Sequence, residues 1–545
     1  MHSFWVWGLL VAAARTSYAL DNGIARTPSM GWNPYNAFSC NAVQSQYEAQ
    51  AQLLVDLGLS ALGYDIVSLD CGWQGTNRTS NGTFTWSATA IPNGIPALSG
   101  FIHGLGLKFA VYSDGGYFSC DASGGTKHWI GSLGFEAQDA QTFVNWGADY
   151  LKYDNCYSVS PTDFVDYSPS FSLTTHYATM RDALKATGKA VVFSMCEWGL
   201  QDPARWPGTD FGHSWRMSND IADSWADVLR IINELVPITG FAGPGGFNDM
   251  DLLEVGNSGM TIDEQTSHFA FWAAAKSPLF ISTDLSKISS SALSLLKNKG
   301  LIAVNQDSLG KSIGFRRRYT NISDVWSGPL SDGSTVAVVI NLAGTTSNVT
   351  FKLSDVGFSS AHAVDLLSGA SLGMISGSLS RTLNAHGSIV LQLSNAVSTP
   401  ALTFKFYSAA ASTNILSNGA ATRAVNSSVT VVGELGGPSR GVLTITGIDG
   451  GSSGGSKLVS IDYINADWTQ STNVPCANCR FAFLSVNGGA PVGVQMPISG
   501  MTWDIVLTGY LVELSGFKSG TSNTITISNP TGQFAPDILR VGVQV

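Results

Sequence analysis

The 545-residue sequence predicts an α/β fold followed by two all-β domains, and three observations lead there. Over residues 20–312, short β-rich runs ending in a polar or acidic residue alternate with helix-like stretches, the pattern of βαβ units and a parallel sheet. From about residue 313 the runs become short and β-branched with polar or Gly turns, as in antiparallel sheets. The length also exceeds what one hydrophobic core supports, so several domains are expected.

The elements follow in order. Phe4–Ala14 is apolar, with small residues at Ser17 and Ala19, which predicts a signal peptide over 1–19 and a secreted, extracellular protein. That run is too short to span a bilayer and no later one is longer, so no membrane partner is expected. Residues 20–312 carry β-rich runs at Tyr64–Asp70, Leu107–Asp114, Tyr150–Asn155, Ala190–Glu197, Phe241–Asp249 and Pro278–Thr283. Helical patterns lie between them, among them Tyr47–Leu57, Glu136–Trp146, Tyr177–Thr187 and Ala222–Leu235. About eight strands over this length fit a (β/α)8 TIM barrel. A doubly wound sheet is the alternative, weakened because polar residues end nearly every strand and no Gly-rich loop follows the first. Residues 313–395 read as an antiparallel β-sandwich domain, 396–402 as a linker, and 403–545 as a second C-terminal β-sandwich with a flexible Gly450–Ser456 stretch.

Composition removes several function classes. Hydrophobic residues at 44% against charged residues at 12% exclude a disordered chain. A net charge of −10 with no basic run argues against nucleic acid, whose phosphates need clustered positive charge. Scattered histidines without metal-ligand spacing predict no metal and no cofactor. Sequons at Asn77, Asn81, Asn321, Asn348 and Asn426, behind a signal peptide, predict glycosylation. Of seven cysteines, six can pair in an oxidising compartment. The Cys476–Cys479 pair has no second CxxC or His pair nearby, which favours a small loop disulfide over a redox or zinc site.

Barrel enzymes work at the C-terminal ends of their strands. Those ends carry Trp32, Asp70, Tyr112, Asp114, Lys152, Asp154, Glu197, Arg216, Asp220, Asp249 and Asp251. Aromatic faces stack on the C–H side of a sugar ring while carboxylates and Lys hold its hydroxyls, and two facing carboxylates can cleave a glycosidic bond. Lys152 and Asp154, two apart on one strand, share a face, and the ammonium favours ionised Asp154. A lectin-like barrel that binds sugar without cleaving it is the alternative from another class.

Ordered motifs then point to a family. They are Met30-Gly-Trp-Asn-Pro-Tyr-Asn-Ala-Phe-Ser-Cys-Asn41, Tyr150-Leu-Lys-Tyr-Asp-Asn-Cys156, Ser194-Met-Cys-Glu-Trp-Gly199, Ser214-Trp-Arg-Met-Ser-Asn-Asp-Ile221, Gly243-Pro-Gly-Gly-Phe-Asn-Asp-Met-Asp251 and Lys276-Ser-Pro-Leu279. Together, over roughly residues 22–395, they resemble glycoside hydrolase family 27, the α-galactosidase and α-N-acetylgalactosaminidase family. The resemblance implies a retaining, exo-acting hydrolase of terminal α-D-galactosyl residues, of plant oligo- or polysaccharides, with Asp154 as nucleophile and Asp220 as acid/base. Their carboxyls are then expected about 5–5.5 Å apart. It implies sugar contacts at Trp32, Asp70, Tyr112, Lys152, Glu197, Arg216 and Asp251. It also implies a Cys120–Cys156 disulfide beside the nucleophile strand, with Cys40–Cys71 as the next pair and Cys196 as the buried free thiol.

The tail loosely resembles family 35 carbohydrate-binding modules, through Phe481-Ala-Phe-Leu-Ser-Val-Asn-Gly488, the Trp503 region, and Asn523-Thr-Ile-Thr-Ile527 before Pro536-Asp-Ile-Leu-Arg-Val541. Their acidic, calcium-ligating opening is replaced by Tyr407-Ser-Ala-Ala410. Trp468 and Trp503 are the aromatics expected to meet polysaccharide if they are exposed; core positions for both, in a purely structural β module, are the alternative. One departure bears on substrate. Family members commonly carry two adjacent aspartates after the second strand, and the ungapped match places Cys71 at the second. Losing one charge-assisted contact costs roughly 1.5–3 kcal/mol of discrimination. β-L-arabinopyranose, which is galactopyranose without its C6 hydroxymethyl, is therefore a second expected substrate.

Overall fold

The computed structural model describes residues 22–206, 211–320 and 323–545, so the expected signal peptide and Asn321 lie outside the described residues. Eight parallel strands form the first domain: β1 Met30–Trp32, β2 Ile66–Ser68, β3 Lys108–Asp114, β4 Tyr150–Asp154, β5 Val192–Met195, β6 Ser214–Arg216, β7 Phe247–Asp249 and β8 Leu279–Ile281. They are hydrogen-bonded in the order β7-β6-β5-β4-β3-β2-β1-β8. A parallel bridge between Leu253 and Ile281 closes the ring, with the Leu253 N–H donating to Phe280 at 2.8 Å. This is the expected barrel rather than a doubly wound sheet.

Several boundaries moved for local reasons. The first long helix is Gln44–Asp56, earlier than the apolar pattern suggested, because the Gln46 side chain accepts the Val43 N–H at 2.9 Å and caps the start. Conversely, the helix expected from Ala222 begins at Trp225, where Ser224 caps the Asp227 N–H. The run Phe241–Asp249 is strand only over Phe247–Asp249. Pro244 and Gly245 form a turn before it, in which Gly243 and Gly246 exchange hydrogen bonds of 2.9 Å.

The second domain is a six-stranded antiparallel sheet backed by a two-stranded one. Its central strand Thr335–Asn341 is covered on both faces, as its unbroken apolar run requires. Ala337 and Val339 enter the domain's own core, while Val336, Val338 and Ile340 join the barrel core. Trp326 beside them meets Phe271 of the barrel helix Ile262–Ala275 edge-on. The expected linker over 396–402 is shorter than that. Strand Ser388–Ser398 continues to its end, pairing Ser398 with Phe358.

The third domain is a sandwich of a six-stranded and a five-stranded sheet around Val459, Ile461, Tyr463, Leu484 and Ile527. The Gly-rich stretch expected to be flexible is a turn held by hydrogen bonds between Gly450 and Gly520 and between Gly520 and Gly451. Trp503 is 38% exposed, with the Arg480 guanidinium over its ring at 4.7 Å. Trp468 is not a surface platform. Its ring packs against the barrel core, and Nε1 donates to Glu234 on the barrel helix Trp225–Leu235 at 3.2 Å. The sandwich is therefore docked on the barrel.

Candidate active site

The strand ends surround a cavity of about 340 Å³. Asp70, Tyr112, Lys152, Asp154, Arg216, Asp220 and Asp251, all expected at the site from sequence, line it. Strand register explains the gathering. Tyr112 lies opposite Lys152 and Asp114 opposite Asp154 across β3 and β4, while Arg216 lies opposite Asp249 across β6 and β7.

Asp154 is 6% exposed at the end of β4, and its Oδ2 accepts the Tyr112 hydroxyl at 2.9 Å. Burial raises its carboxyl to about 6; the charge of Asp220 adds to the rise, and Lys152 and the Tyr112 hydrogen bond oppose it. Lys152 Nζ donates to Asp70 at 2.7 Å, and Asp70 also accepts from Asn33 Nδ2 at 2.8 Å and the Cys71 N–H at 2.9 Å. Burial alone would lower the Lys152 ammonium, but the Asp70 charge reverses this and keeps it protonated.

Asp220 sits at the open side, its carboxylate half exposed and paired with Arg216 at 2.8 Å. Burial works to raise its carboxyl, and the charge and hydrogen bond of Arg216 override it, leaving Asp220 below the usual Asp range. The same guanidinium pairs with Asp251 at 2.8 Å. Asp251 adopts a left-handed backbone (φ 80) and accepts the Ile221 N–H at 2.8 Å, which ties it to the Asp220 loop. Asp114, also at a strand end, turns to structural work, accepting the Gly116 and Cys156 N–H groups at 2.8 and 3.0 Å. Asp249 lies below the cavity floor, raised to about 6 by burial, and accepts the Asp251 N–H at 2.9 Å.

Two expected sugar contacts do not reach the cavity. Trp32 is fully buried on the outer side of β1, edge-on to Phe38 and Tyr47, with Nε1 donating to the Thr283 carbonyl at 2.9 Å. Tyr35, three residues on, lines the cavity instead, oriented by a hydrogen bond from its N–H to Asn33 Oδ1 at 2.8 Å. Glu197 is also fully buried. One of its oxygens accepts the Gly199 N–H at 3.2 Å, the other has no partner among the described residues, and burial holds the carboxyl well above the usual Glu range. The left-handed turn at Trp198 (φ 59) places that indole in the cavity wall in its stead, edge-to-face with Tyr167. An aromatic three residues after Trp32 and another beside Glu197 were the signals available in the sequence.

Cys40–Cys71, Cys120–Cys156 and Cys476–Cys479 are disulfides, and Cys196 is a buried free thiol. The first two bridges line the cavity. Gly72 makes the first possible: its φ is +98°, and a Cβ there would lie 1.9 Å from the Cys40 carbonyl oxygen. Among the described residues, Asp114, Cys120 and Cys156 bring potential metal-ligand atoms within 4.8 Å of one another, but both sulfurs are tied in a disulfide.

A barrel whose strand ends gather paired carboxylates, a lysine, an arginine and aromatic walls defines the glycoside hydrolase class. Residues 27–307 match the family described as alpha galactosidase A, and residues 320–393 match the alpha galactosidase C-terminal beta sandwich domain. The chain belongs to this α-galactosidase family, glycoside hydrolase family 27. It is 45% identical over 384 residues to a probable alpha-galactosidase D of Aspergillus niger, covering 69% of this chain and 58% of that protein. It is 42% identical to alpha-galactosidase D of Emericella nidulans, again over 69% and 58% of the two chains. The matched region thus spans less than two thirds of these relatives' length. Alpha-galactosidase I from Mortierella vinacea superposes with a TM-score of 0.64 at 33% identity, covering 70% of this chain and all of that one. An α-galactosidase from Saccharomyces cerevisiae, solved with raffinose, gives 0.63 at 29% identity, covering 69% and 99%. None of these matches extends over the whole chain.

Proposed function

We propose that the protein is a retaining α-galactosidase removing terminal α-D-galactosyl residues from plant oligo- or polysaccharides. The observation that carries this is one carboxylate at the cavity floor, Asp154, and a second at the open side, Asp220, with Lys152 and Arg216 beside them. The packed barrel interior closes the cavity from below, which suits a chain end rather than the middle of a chain. In the first step Asp154 attacks the anomeric carbon while Asp220 protonates the departing glycosidic oxygen, leaving galactosyl bound to Asp154 as an ester. Water, deprotonated by Asp220, then attacks that carbon and frees Asp154. Lys152 favours the ionised nucleophile, and Tyr112 orients its oxygen. The raffinose held by the Saccharomyces cerevisiae neighbour ends in an α-galactosyl unit, consistent with this substrate class.

A second activity, on β-L-arabinopyranosides, is favoured by Cys71. It lines the cavity and is bonded to Cys40, so it cannot accept a hydrogen bond from a C6 or C4 hydroxyl as a carboxylate would. Nitrophenyl α-D-galactopyranoside and β-L-arabinopyranoside are expected to give catalytic efficiencies within about a thousandfold, ~4 kcal/mol, of each other. No turnover of the galactoside would refute the α-galactosidase reading, and a larger galactoside preference would remove only the second activity.

The secreted, glycosylated state rests on Asn77, Asn81, Asn348 and Asn426, all exposed, together with the disulfides. Endoglycosidase treatment of protein secreted by a eukaryotic host should lower its mass, and an unchanged mass would refute glycosylation at these sites.

A further inference from the structure

We propose that the C-terminal sandwich positions the acid/base loop: Asn478 and Trp468 act through the buried Glu234–Arg230 pair on the backbone of Asn219 and Asp220. This rests on the assignment of Asp220 as acid/base.

The contacts run without a break from one domain to the other. Arg230 is fully buried, and its Nη2 donates to the carbonyls of Asn219 at 3.2 Å and Asp220 at 3.1 Å. Its Nε and Nη2 also bind Asp227, while Nη1 donates to Glu234 Oε1 at 3.1 Å. Glu234 is itself buried, and its remaining donors come from the sandwich. Asn478 Nδ2 donates to Oε1 at 2.6 Å and Trp468 Nε1 to Oε2 at 3.2 Å.

The sandwich side is built for this contact. Asn478 is fully buried with a left-handed backbone (φ 56), inside the loop closed by the Cys476–Cys479 bridge. Its Oδ1 accepts the Thr469 N–H at 2.7 Å, which fixes which end of the amide faces Glu234. Next to it, the Ala477 carbonyl accepts from Asn233 on the same barrel helix at 2.8 Å.

Burial raises the Glu234 carboxyl to about 7, and the hydrogen bonds from Trp468 and Asn478 oppose that rise. Without Asn478 and Trp468, Glu234 would either draw the Arg230 guanidinium closer or take up a proton and release it, and in both cases the guanidinium shifts against the Asn219 and Asp220 carbonyls. The Asp220 carboxylate would then lose its aim at the glycosidic oxygen, while the sugar contacts at Asp70 and Lys152 stay in place. Asn478 and Trp468 are positioning residues in this scheme.

The full-length Asn478→Ala variant separates this role from simple loss of stability. With a galactosyl disaccharide, whose leaving group needs a proton, kcat/KM is expected to fall about tenfold. With 2,4-dinitrophenyl α-galactoside, whose leaving group does not, kcat/KM should stay within about twofold. Trp468→Phe keeps the ring and removes only the N–H, and should show the same substrate-selective loss, smaller in size. Glu513→Ala breaks a separate contact of the sandwich, with Arg317 of the second domain at 3.8 Å, and should change neither substrate. Equal losses on both substrates, unchanged rates in Asn478→Ala, or the same selective loss in Glu513→Ala would overturn the proposal. Asp220→Ala measured alongside keeps the two readings apart. If it retains turnover of the disaccharide, the acid/base assignment fails; if it is inactive while Asn478→Ala is unaffected, only the positioning role fails.

Discussion

Asp154→Ala should lower turnover of every α-galactoside by at least about 10⁴-fold, or ~5.5 kcal/mol of transition-state stabilisation. The loss should be the same for good and poor leaving groups, because without the nucleophile neither can form the galactosyl ester. The fold should tolerate the change. The carboxylate is 6% exposed and burial already disfavours its charge, so its removal leaves the Tyr112 hydroxyl and the Asn155 N–H without their acceptor. A melting temperature close to the parent's is expected. Azide, a small anionic nucleophile, can enter the space left and should restore part of the turnover, giving β-galactosyl azide because attack comes from the face opposite the leaving group. Parent-like rates in this variant, or an α-configured azide product, would refute the assignment of Asp154.

Asp220→Ala should lower kcat/KM on a galactosyl disaccharide by about 10³-fold, yet only about tenfold or less on 2,4-dinitrophenyl α-galactoside. The pH profile provides a second, independent reading. Asp154 is raised to about 6 while Arg216 holds Asp220 below the usual Asp range, so the pair carries one proton between those two values. In the proposed mechanism the reactive form is the singly protonated pair with its proton on Asp220. In the parent enzyme kcat/KM should therefore rise as pH falls through about 6, level off, and decline once the second proton arrives below the ordinary Asp value. The profile is a bell with an acidic optimum. Without Asp220 only ionised Asp154 is needed, so the alkaline limb should vanish. The acid limb should lie below 6, since the Asp220 charge that helped raise Asp154 is gone. An alkaline limb that persists in Asp220→Ala would assign the titrating proton elsewhere.

Much of the site was legible because a strand has a period of two. Lys152 and Asp154 had to share a face of β4, and acids at successive strand ends had to converge where a barrel opens. The cysteine pairs followed the motifs that contain them. Where the reading missed, the deciding partner came from far along the chain. Trp32 and Tyr35 belong to one motif, and nothing within it says which ring faces sugar. Thr283, a distant residue that accepts the Trp32 N–H, and Tyr47, which packs against its ring, settle that. Glu197 and Trp198 are neighbours exchanged by a single left-handed turn. The linker begins late because Ser398 found Phe358 to pair with.

The sequence by itself determined the barrel, the two antiparallel domains behind it, the family, and that Asp154 and Asp220 meet at one cavity. Each of these depends on local periodicity or on short motifs, which act over a few residues. The tertiary structure alone decided the charge states and the division of labour. Arg216 reaches both Asp220 and Asp251, so one guanidinium sets which carboxylate stays ionised. Trp468, readable from sequence as a sugar platform or a core residue, is a strut against Glu234. Proton affinity and burial are properties of what surrounds a group, and here those surroundings come from strands and domains up to about 250 residues apart in the chain.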